Sequence, residues 1–136
     1  PLDLKASPEY AAYITNALMG GEPCEFYGNI PNTSLITNLP ENACVEVPIL
    51  ANRRGFTPMH IGALPPQLAA LNGINVAVEE MAVEGALTGN PRMIYHAIMN
   101  DPLTSAVLSL CEIKQMVQLM FDQNKPYLPQ FKHFEI

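Results

Sequence analysis

The hydrophobic pattern of the chain changes its period at Pro65-Pro66. Before these prolines, apolar and polar residues alternate in short runs, which is typical of half-buried strands. After them, apolar residues recur every three or four positions almost to the C-terminus, which is typical of amphipathic helices. Strands followed by a run of helices indicate an α+β fold. We therefore predict a small, mostly antiparallel sheet with a helical C-terminal half, in a single domain over residues 1–136.

Three short strands are predicted, over Cys24–Asn29, Ala43–Ala51 and Thr57–Gly62. The alternation in the second strand places three β-branched residues on one face: Val45, Val47 and Ile49. Only four residues, Asn52–Gly55, separate the last two strands, so we expect these strands to pair antiparallel. A helix is predicted before the sheet, because Ser7-Pro8 is typical of a helix start and Gly20-Gly21 of a helix end.

Capping residues and prolines divide the helical half. Asn90-Pro91 and Asp101-Pro102 each predict a helix start, and Ser109 with Glu112 predicts a capping box. The buried stripe predicted for the long helix after Pro65-Pro66 comprises Leu68, Leu71, Val78, Ala82 and Ala86. The stripe predicted for the last helix comprises Leu110, Ile113, Val117, Met120 and Phe121. Gly73, inside the long helix, predicts a kink or a close approach of another backbone segment.

Charge and composition exclude several classes of protein. The net charge is −6 and Arg53-Arg54 is the one basic cluster of the sequence, which argues against nucleic acid as a partner. No apolar run approaches the ~18 residues of a membrane span, and no secretion signal opens the sequence. The three cysteines lack ligand spacing, so we expect them to be reduced and mostly buried in a cytoplasmic protein: Cys24, Cys44 and Cys111.

The balance of apolar and charged residues is unusual for a free-standing domain. Hydrophobic residues make up 49% of the sequence and charged residues 15%, whereas about a quarter charged is usual. Two explanations stay open: an obligate oligomer, or a part of a larger protein whose apolar face meets the rest. The sequence opens at Pro1 without an initiator Met, and this favours the second explanation.

The residues alone give no complete catalytic constellation. The three histidines lack a second ligand at metal-binding spacing, so no metal site is predicted at His60, His96 or His133. Glu79, Glu80 and Glu84 cluster on the long helix, and we interpret them as a solvated face rather than an acid–base pair. Arg53-Arg54 is compatible with an anion clamp and with a solvated turn tip.

Asparagine and proline are concentrated between Gly28 and Pro48. Proline fixes φ and removes a backbone donor, while asparagine bonds its own backbone and tolerates left-handed geometry. A loop of this composition has one shape, and rigid loops are where binding groups are positioned.

This segment and the helical half also carry motifs in a family-like order. They are Phe26-x-Gly28-Asn29, Asn32, Ile36, Asn38-Leu39-Pro40, Val45-Glu46-Val47-Pro48, Leu64-Pro65-x-Gln67-x-Ala69-Ala70-Leu71-Asn72, Val83-Glu84-x-Ala86-Leu87-Thr88-Gly89, Asp101-Pro102-Leu103-Thr104 and Tyr127-Leu128-Pro129-Gln130-Phe131. Together they span about residues 7–131. They resemble the C-terminal part of glycoside hydrolase family 4, most closely its α-galactosidase (melibiase) branch. The 6-phosphoglucosidase branch shares much of the rest.

The resemblance implies an NAD-dependent glycosidase outside the usual two-carboxylate mechanism. In the family, NAD oxidises the sugar at C3, a base removes the C2 proton, the aglycone is eliminated, water adds, and the hydride returns. A divalent metal, usually Mn²⁺, polarises the sugar oxygens. The implied fold resembles the C-terminal domain of lactate and malate dehydrogenase-like proteins.

In the family, the NAD loop, the metal ligands and the catalytic base lie upstream of the part that this chain resembles. No catalytic, cofactor-binding or metal-binding residue is therefore assigned here. We expect a fragment that is inactive alone and binds no cofactor, with the remainder of the enzyme and a homo-oligomer as partners. The alternatives are a 6-phospho-glycosidase of the same family and a non-catalytic binding or assembly module.

Asn29 and Asn32 are the candidates for substrate-proximal groups, because a preformed polar loop can orient ligand hydroxyls. A purely structural turn role is an equal alternative for both. The sequence departs from the family pattern at Asn52-Arg53-Arg54-Gly55, where an arginine pair is unusual. It also departs at Gly85, where a small helix former such as alanine is more usual.

Overall fold

The computed structural model of the chain describes residues 9–41 and 43–136. It divides into two compact units, the first ending at Leu64 and the second beginning at Pro65. The first unit contains α1 (Ala11–Leu18), β1 (Cys24–Pro31), β2 (Cys44–Asn52) and β3 (Gly55–Pro58). The second contains α2 (Pro66–Thr88), α3 (Pro91–Asn100), α4 (Pro102–Val107), α5 (Leu110–Asn124) and a 3₁₀ turn at Lys125–Tyr127. This order confirms the predicted α+β fold, while the assignment of residues 1–136 to one domain stays a prediction.

The sheet has the strand order β1-β2-β3, and both neighbouring pairs are antiparallel. Phe26 pairs with Ile49 across β1 and β2, and Ala51 pairs with Phe56 across β2 and β3. The central strand buries one face, and that face comprises Val45, Val47, Ile49 and Ala51. Helix α1 packs against β2 and buries Ala17. The predicted face of the second strand is thus confirmed.

The third strand begins and ends earlier than predicted. Arg53 and Arg54 alone form the turn, where Asn52 Oδ1 accepts a hydrogen bond from Arg54 N (2.8 Å). Gly55 already pairs with Asn52 and takes a φ of +108°, which glycine adopts without steric cost. Met59 N still donates to Pro48 O on β2 (2.9 Å), but further along Ile61 N donates to Leu35 O instead, so the chain leaves β2 after Met59.

Helix α1 begins at Ala11, three residues after the predicted start. Its predicted cap Ser7 and Pro8 lie outside the described residues. Its end agrees with the prediction, since Gly20 has a φ of +98° just past the helix.

The predicted helix starts of the second half are confirmed. Asn90 Oδ1 accepts from Arg92 N (3.1 Å), and Asp101 Oδ2 accepts from Thr104 N (2.7 Å). At the start of α5, Ser109 Oγ accepts from Glu112 N (3.4 Å), and Ser109 N donates back to Glu112 Oε2 (2.8 Å). Each device satisfies amides that have no partner within the helix.

The core of the second unit lies between α5 and the C-terminal segment. Its buried residues are Ile113, Val117, Phe121 and Phe131. Gln118 fastens the C-terminal segment to α5, because its Nε2 donates to Phe134 O (3.0 Å) and its Oε1 accepts from Ile136 N (3.3 Å). The predicted stripe of α5 is therefore right for its three buried members. It is wrong for Leu110 and Met120, which are more than half exposed because no described element covers them.

The stripe predicted for α2 is largely wrong. Leu68, Leu71 and Ala86 are exposed, while Val78 and Ala82 are half-buried. The buried positions of this helix are Val76 and Gly85. A Cβ on Gly85 would lie 2.8 Å from Ile94 Cδ1, so the glycine lets α2 and α3 pack closely. A Cβ on Gly73 would meet no described atom within 4 Å, so the close approach predicted there is absent from the described residues.

The cysteines are less buried than predicted. Cys24 is half-buried, and Cys44 and Cys111 are exposed. Cys44 precedes the buried Val45 on β2, so the strand alternation turns it to the opposite face. Cys111 lies in the first turn of α5, away from the buried stripe.

Candidate functional site

The connection between β1 and β2, residues 32–43, is here named the asparagine loop; the structure describes it except for residue 42. Its organising side chain is Asn32, which is 1% exposed. Asn32 Oδ1 accepts from Ile36 N (3.0 Å). Its Nδ2 lies 2.9 to 3.1 Å from three carbonyl oxygens, those of Ile36, Leu39 and Pro40, and its two N–H groups are shared among them. One amide side chain thus closes the loop from inside, and no other residue of this length carries both the donors and the acceptor.

A second asparagine fastens the loop from outside. Asn38 Oδ1 accepts from Leu64 N and Asn38 Nδ2 donates to Leu64 O, both at 2.8 Å. The side chain therefore imitates the paired hydrogen bonds of a neighbouring strand. Ile36 also forms a parallel bridge with Gly62, and His60 Nδ1 lies 3.0 Å from Ser34 O. These contacts hold the asparagine loop along the segment that follows β3.

The two predicted substrate-proximal residues lie in different environments. Asn29 is exposed on β1 and pairs in register with Glu46, also exposed. The amide of Asn32 is buried and is used within the asparagine loop. The structure therefore offers Asn29 as an accessible polar group and gives Asn32 a loop-closing role, while the substrate proximity of both stays a prediction.

The other candidate groups of the sequence stay apart. His60, His96 and His133 are exposed in three separate segments. Glu79, Glu80 and Glu84 are exposed on α2, as the solvated interpretation predicts. Within residues 9–41 and 43–136, no group of three or more His, Cys, Asp or Glu side chains is arranged to hold a metal ion. Arg53 and Arg54 are exposed at the turn tip between β2 and β3.

The carboxylates with shifted pKa values serve helix ends. The Thr104 hydroxyl and backbone N–H lower the pKa of Asp101, and the Ser109 hydroxyl and N–H lower the pKa of Glu112. A hydrogen bond and the charge of Lys125 lower the pKa of Asp122, whose carboxylate lies 2.8 Å from Lys125 Nζ. A lowered pKa favours the ionised form further, which suits capping by Asp101 and Glu112 and the ion pair of Asp122, and does not suit general acid catalysis.

A groove of about 420 Å³ lies in the second unit. Its lining is mostly apolar and includes Ile94, Ile98, Val117, Met120, Phe121 and Phe131. Neither a carboxylate nor a histidine is among its described lining residues, and Tyr127 is the ionisable side chain on its wall, so the groove shows no acid–base pair. Among the described residues, no helix combines the length and the apolarity that a membrane crossing needs.

The structural roles of two residues, Asn38 and Gln118, were not predicted from the sequence. Asn38 stood in a recognised motif, but its partner Leu64 is 26 residues away and no spacing rule pairs them. Gln118 holds backbone groups that are 16 and 18 residues further along the chain. Side-chain to backbone contacts over such separations leave no periodic pattern in the sequence.

The described residues thus show an α+β fold with a fixed loop and capped helices, but no cluster that could hold a metal ion. The sequence profile of the Family 4 glycosyl hydrolase C-terminal domain matches residues 1–104. The chain belongs to this family, as the resemblance of its motifs predicted.

Curated relatives extend the match along the whole chain. An α-galactosidase of Bacillus subtilis (strain 168) is 44% identical over 126 residues, which are 93% of this chain and 29% of the relative. An α-galactosidase of Rhizobium meliloti (strain 1021) is 34% identical over 98% of this chain and 27% of the relative. The chain therefore spans less than a third of the length of these relatives.

Solved structures show the same fold. A 6-phospho-α-glucosidase from gut microorganisms, in complex with NAD and glucose-6-phosphate, matches with a TM-score of 0.75 and 26% identity, over 88% of this chain and 27% of that one. Another 6-phospho-α-glucosidase from gut microorganisms, in complex with NAD and Mn²⁺, matches with a TM-score of 0.77 and 19% identity, over 89% and 27% of the two chains.

Proposed function

We propose that this chain is the C-terminal part of an NAD- and Mn²⁺-dependent α-galactosidase. The intact enzyme hydrolyses α-galactosides by oxidation, elimination, addition and reduction, and the chain is inactive alone. The observation that carries this proposal is the 44% identity to the Bacillus subtilis α-galactosidase over 93% of the chain.

Residues 9–41 and 43–136 show no site that fits Mn²⁺, and the sequence shows no motif that fits NAD. A metal site needs several converging ligands, and the described residues contain no such group. The sequence also lacks the glycine-rich turn that receives a dinucleotide. NAD and Mn²⁺ would therefore be held by the part of the enzyme outside this match, and no chemical step is assigned to a residue here.

The role of the chain in the proposed enzyme is to complete the substrate domain. The asparagine loop gives β1 and β2 a fixed connection, so the exposed Asn29 is presented in one geometry. Asn29 is thus the better placed of the two substrate-proximal candidates. We further propose the remainder of the enzyme and a homo-oligomer as partners, and the cytoplasm as the location.

The test uses p-nitrophenyl α-galactoside with NAD, Mn²⁺ and a thiol. We expect no turnover with this chain alone. We also consider a hybrid enzyme, in which this chain replaces the matching stretch of the Bacillus subtilis α-galactosidase. We expect the hybrid to show turnover, because 44% identity preserves the contacts of a shared fold. Turnover by the chain alone would contradict its role as a part of the enzyme.

A 6-phospho-glycosidase of the same family is the second candidate. The observation in its favour is the 26% identity to a 6-phospho-α-glucosidase solved with glucose-6-phosphate. The two candidate functions are distinguished by comparing the turnover of the hybrid on the 6-phosphorylated and on the unphosphorylated p-nitrophenyl glycosides. A non-catalytic module that kept the fold predicts a hybrid without turnover on either substrate.

A further inference from the structure

Helix α2 exposes large apolar side chains along its whole length. They are Leu68, Leu71, Ile74, Val83 and Leu87. Helix α5 of the same unit also exposes Leu110, Leu119 and Met120, but it buries Ile113, Val117 and Phe121 in one stripe. Apart from the three exposed glutamates of its second half, α2 carries no charged residue, and a helix that is largely apolar around its circumference is typical of the interior of a larger structure.

The first half of α2 is also uncharged. From Pro66 to Val78 the sequence contains no Asp, Glu, Lys or Arg. Its asparagines turn their donors back to the helix, since Asn72 Nδ2 bonds Leu68 O (3.0 Å) and Asn75 Nδ2 bonds Leu71 O (3.2 Å). Polar groups satisfied in this way are compatible with a surface from which water is excluded.

The exposed apolar residues of α2 lie on two sides. At about 100° per residue, Leu71 and Leu87 are separated by about 160° around the helix axis. One flat partner, such as a second copy meeting the helix across a twofold axis, covers one side only. A polypeptide that surrounds the helix covers both.

The family relatives supply such a polypeptide. More than two thirds of the Bacillus subtilis α-galactosidase lies outside the stretch that this chain matches. We propose that the Leu71 face, defined as Leu68, Leu71 and Ile74, packs against the upstream part of a family 4 enzyme. This inference rests on the proposed function and names the surface through which the chain joins the enzyme.

The test compares two variants in two settings. Leu71→Gln with Ile74→Gln removes the apolar face, and Leu119→Gln on α5 is the matched control, since Leu71 is 61% and Leu119 57% exposed. Each variant is made in the chain alone and in the hybrid with the Bacillus subtilis enzyme. Thermal unfolding is followed in both settings, and NAD-dependent hydrolysis of p-nitrophenyl α-galactoside in the hybrid.

In the chain alone, at dilutions where it is monomeric, we expect both variants to unfold at the wild-type midpoint. In the hybrid we expect the double variant to lose about tenfold in activity and to unfold at a lower temperature, because glutamine is buried without partners. The control keeps its activity. If the wild-type hybrid is active and the double variant keeps as much activity as the control, the proposal for the Leu71 face is wrong while the proposed function stands. A wild-type hybrid without activity overturns the proposed function, and this surface with it.

Discussion

Asn32 illustrates how a single side chain sets the shape of a loop. Its amide serves four backbone groups between Ile36 and Pro40, and almost none of it reaches water. A buried polar group is tolerated only when it is fully bonded, so the position requires both a donor and an acceptor.

We predict that Asn32→Asp lowers the free energy of unfolding by about 3 kcal/mol. The substitution keeps the shape but removes the donor from three carbonyls and places a negative charge beside them. Urea unfolding at neutral pH measures the effect. Asn29→Asp is the control, and we expect it to stay within about 0.5 kcal/mol of the wild type, because Asn29 is exposed. Equal losses for the two variants would contradict the loop-closing role.

At the residue scale, the sequence predicted the kind of local structure better than it predicted the hydrogen-bond partners of individual side chains. Asparagine and proline together indicated a shaped loop between Gly28 and Pro48, and the hydrogen bonds of Asn32 and Asn38 account for that shape. The identity of the bonded carbonyls was beyond prediction. It depends on the tertiary path of the chain, which is set by sheet pairing and not by neighbouring residues.

Elements were predictable where local chemistry decides them. The caps at Asn90, Asp101 and Ser109 act within three residues, so the sequence places them correctly. The buried side of α2 depends on what packs against the helix, and the apolar pattern alone does not encode this. The prediction of the helix α2 is therefore confirmed, while the prediction of its buried stripe is largely wrong.

Two glycines of α2 provide a matched pair. We predict that Gly73→Ala raises the free energy of unfolding by about 0.5–1 kcal/mol, because alanine is the better helix former and the site is open. Gly85→Ala should lower it, because its Cβ would crowd Ile94 and also lie 3.0 Å from Met93 Cβ. Thermal unfolding of both variants gives the comparison. Stabilisation by Gly85→Ala would show that α3 moves away without cost.

The capping box of α5 predicts a pH dependence. The Ser109 hydroxyl and N–H lower the pKa of Glu112 from its usual 4.5 in the folded chain. The carboxylate therefore stabilises the fold above that value, and this contribution is lost as the pH falls through the lowered pKa. We expect the urea midpoint to fall as the pH is lowered below 4.5, and to fall less in Glu112→Gln. Parallel pH curves for the two proteins would refute the assignment.

At the scale of the whole molecule, the composition and the exposed surface agree. A chain with 49% hydrophobic and 15% charged residues leaves the apolar side chains of α2 exposed. Burial of such surface is favourable by about 25 cal/mol per Å², so an uncovered face favours association.

We therefore predict that the isolated chain forms dimers or larger species. Sedimentation velocity over a range of concentrations measures this directly. Leu71→Gln with Ile74→Gln should weaken the association, while Leu119→Gln should leave it unchanged, because Leu119 lies on another helix, outside the Leu71 face. A strictly monomeric profile at high concentration would contradict the prediction.

The hydrogen bonds between Asn38 and Leu64 also constrain the order in which the first unit is built. They join positions 26 residues apart, and β2 and β3 lie between them. Closing such a contact carries an entropic penalty that the neighbouring strands reduce once they have paired. We therefore predict that the hairpin of β2 and β3 forms first during folding and that the Asn38 contact forms late, so that Asn38→Ala should change the unfolding rate and not the folding rate.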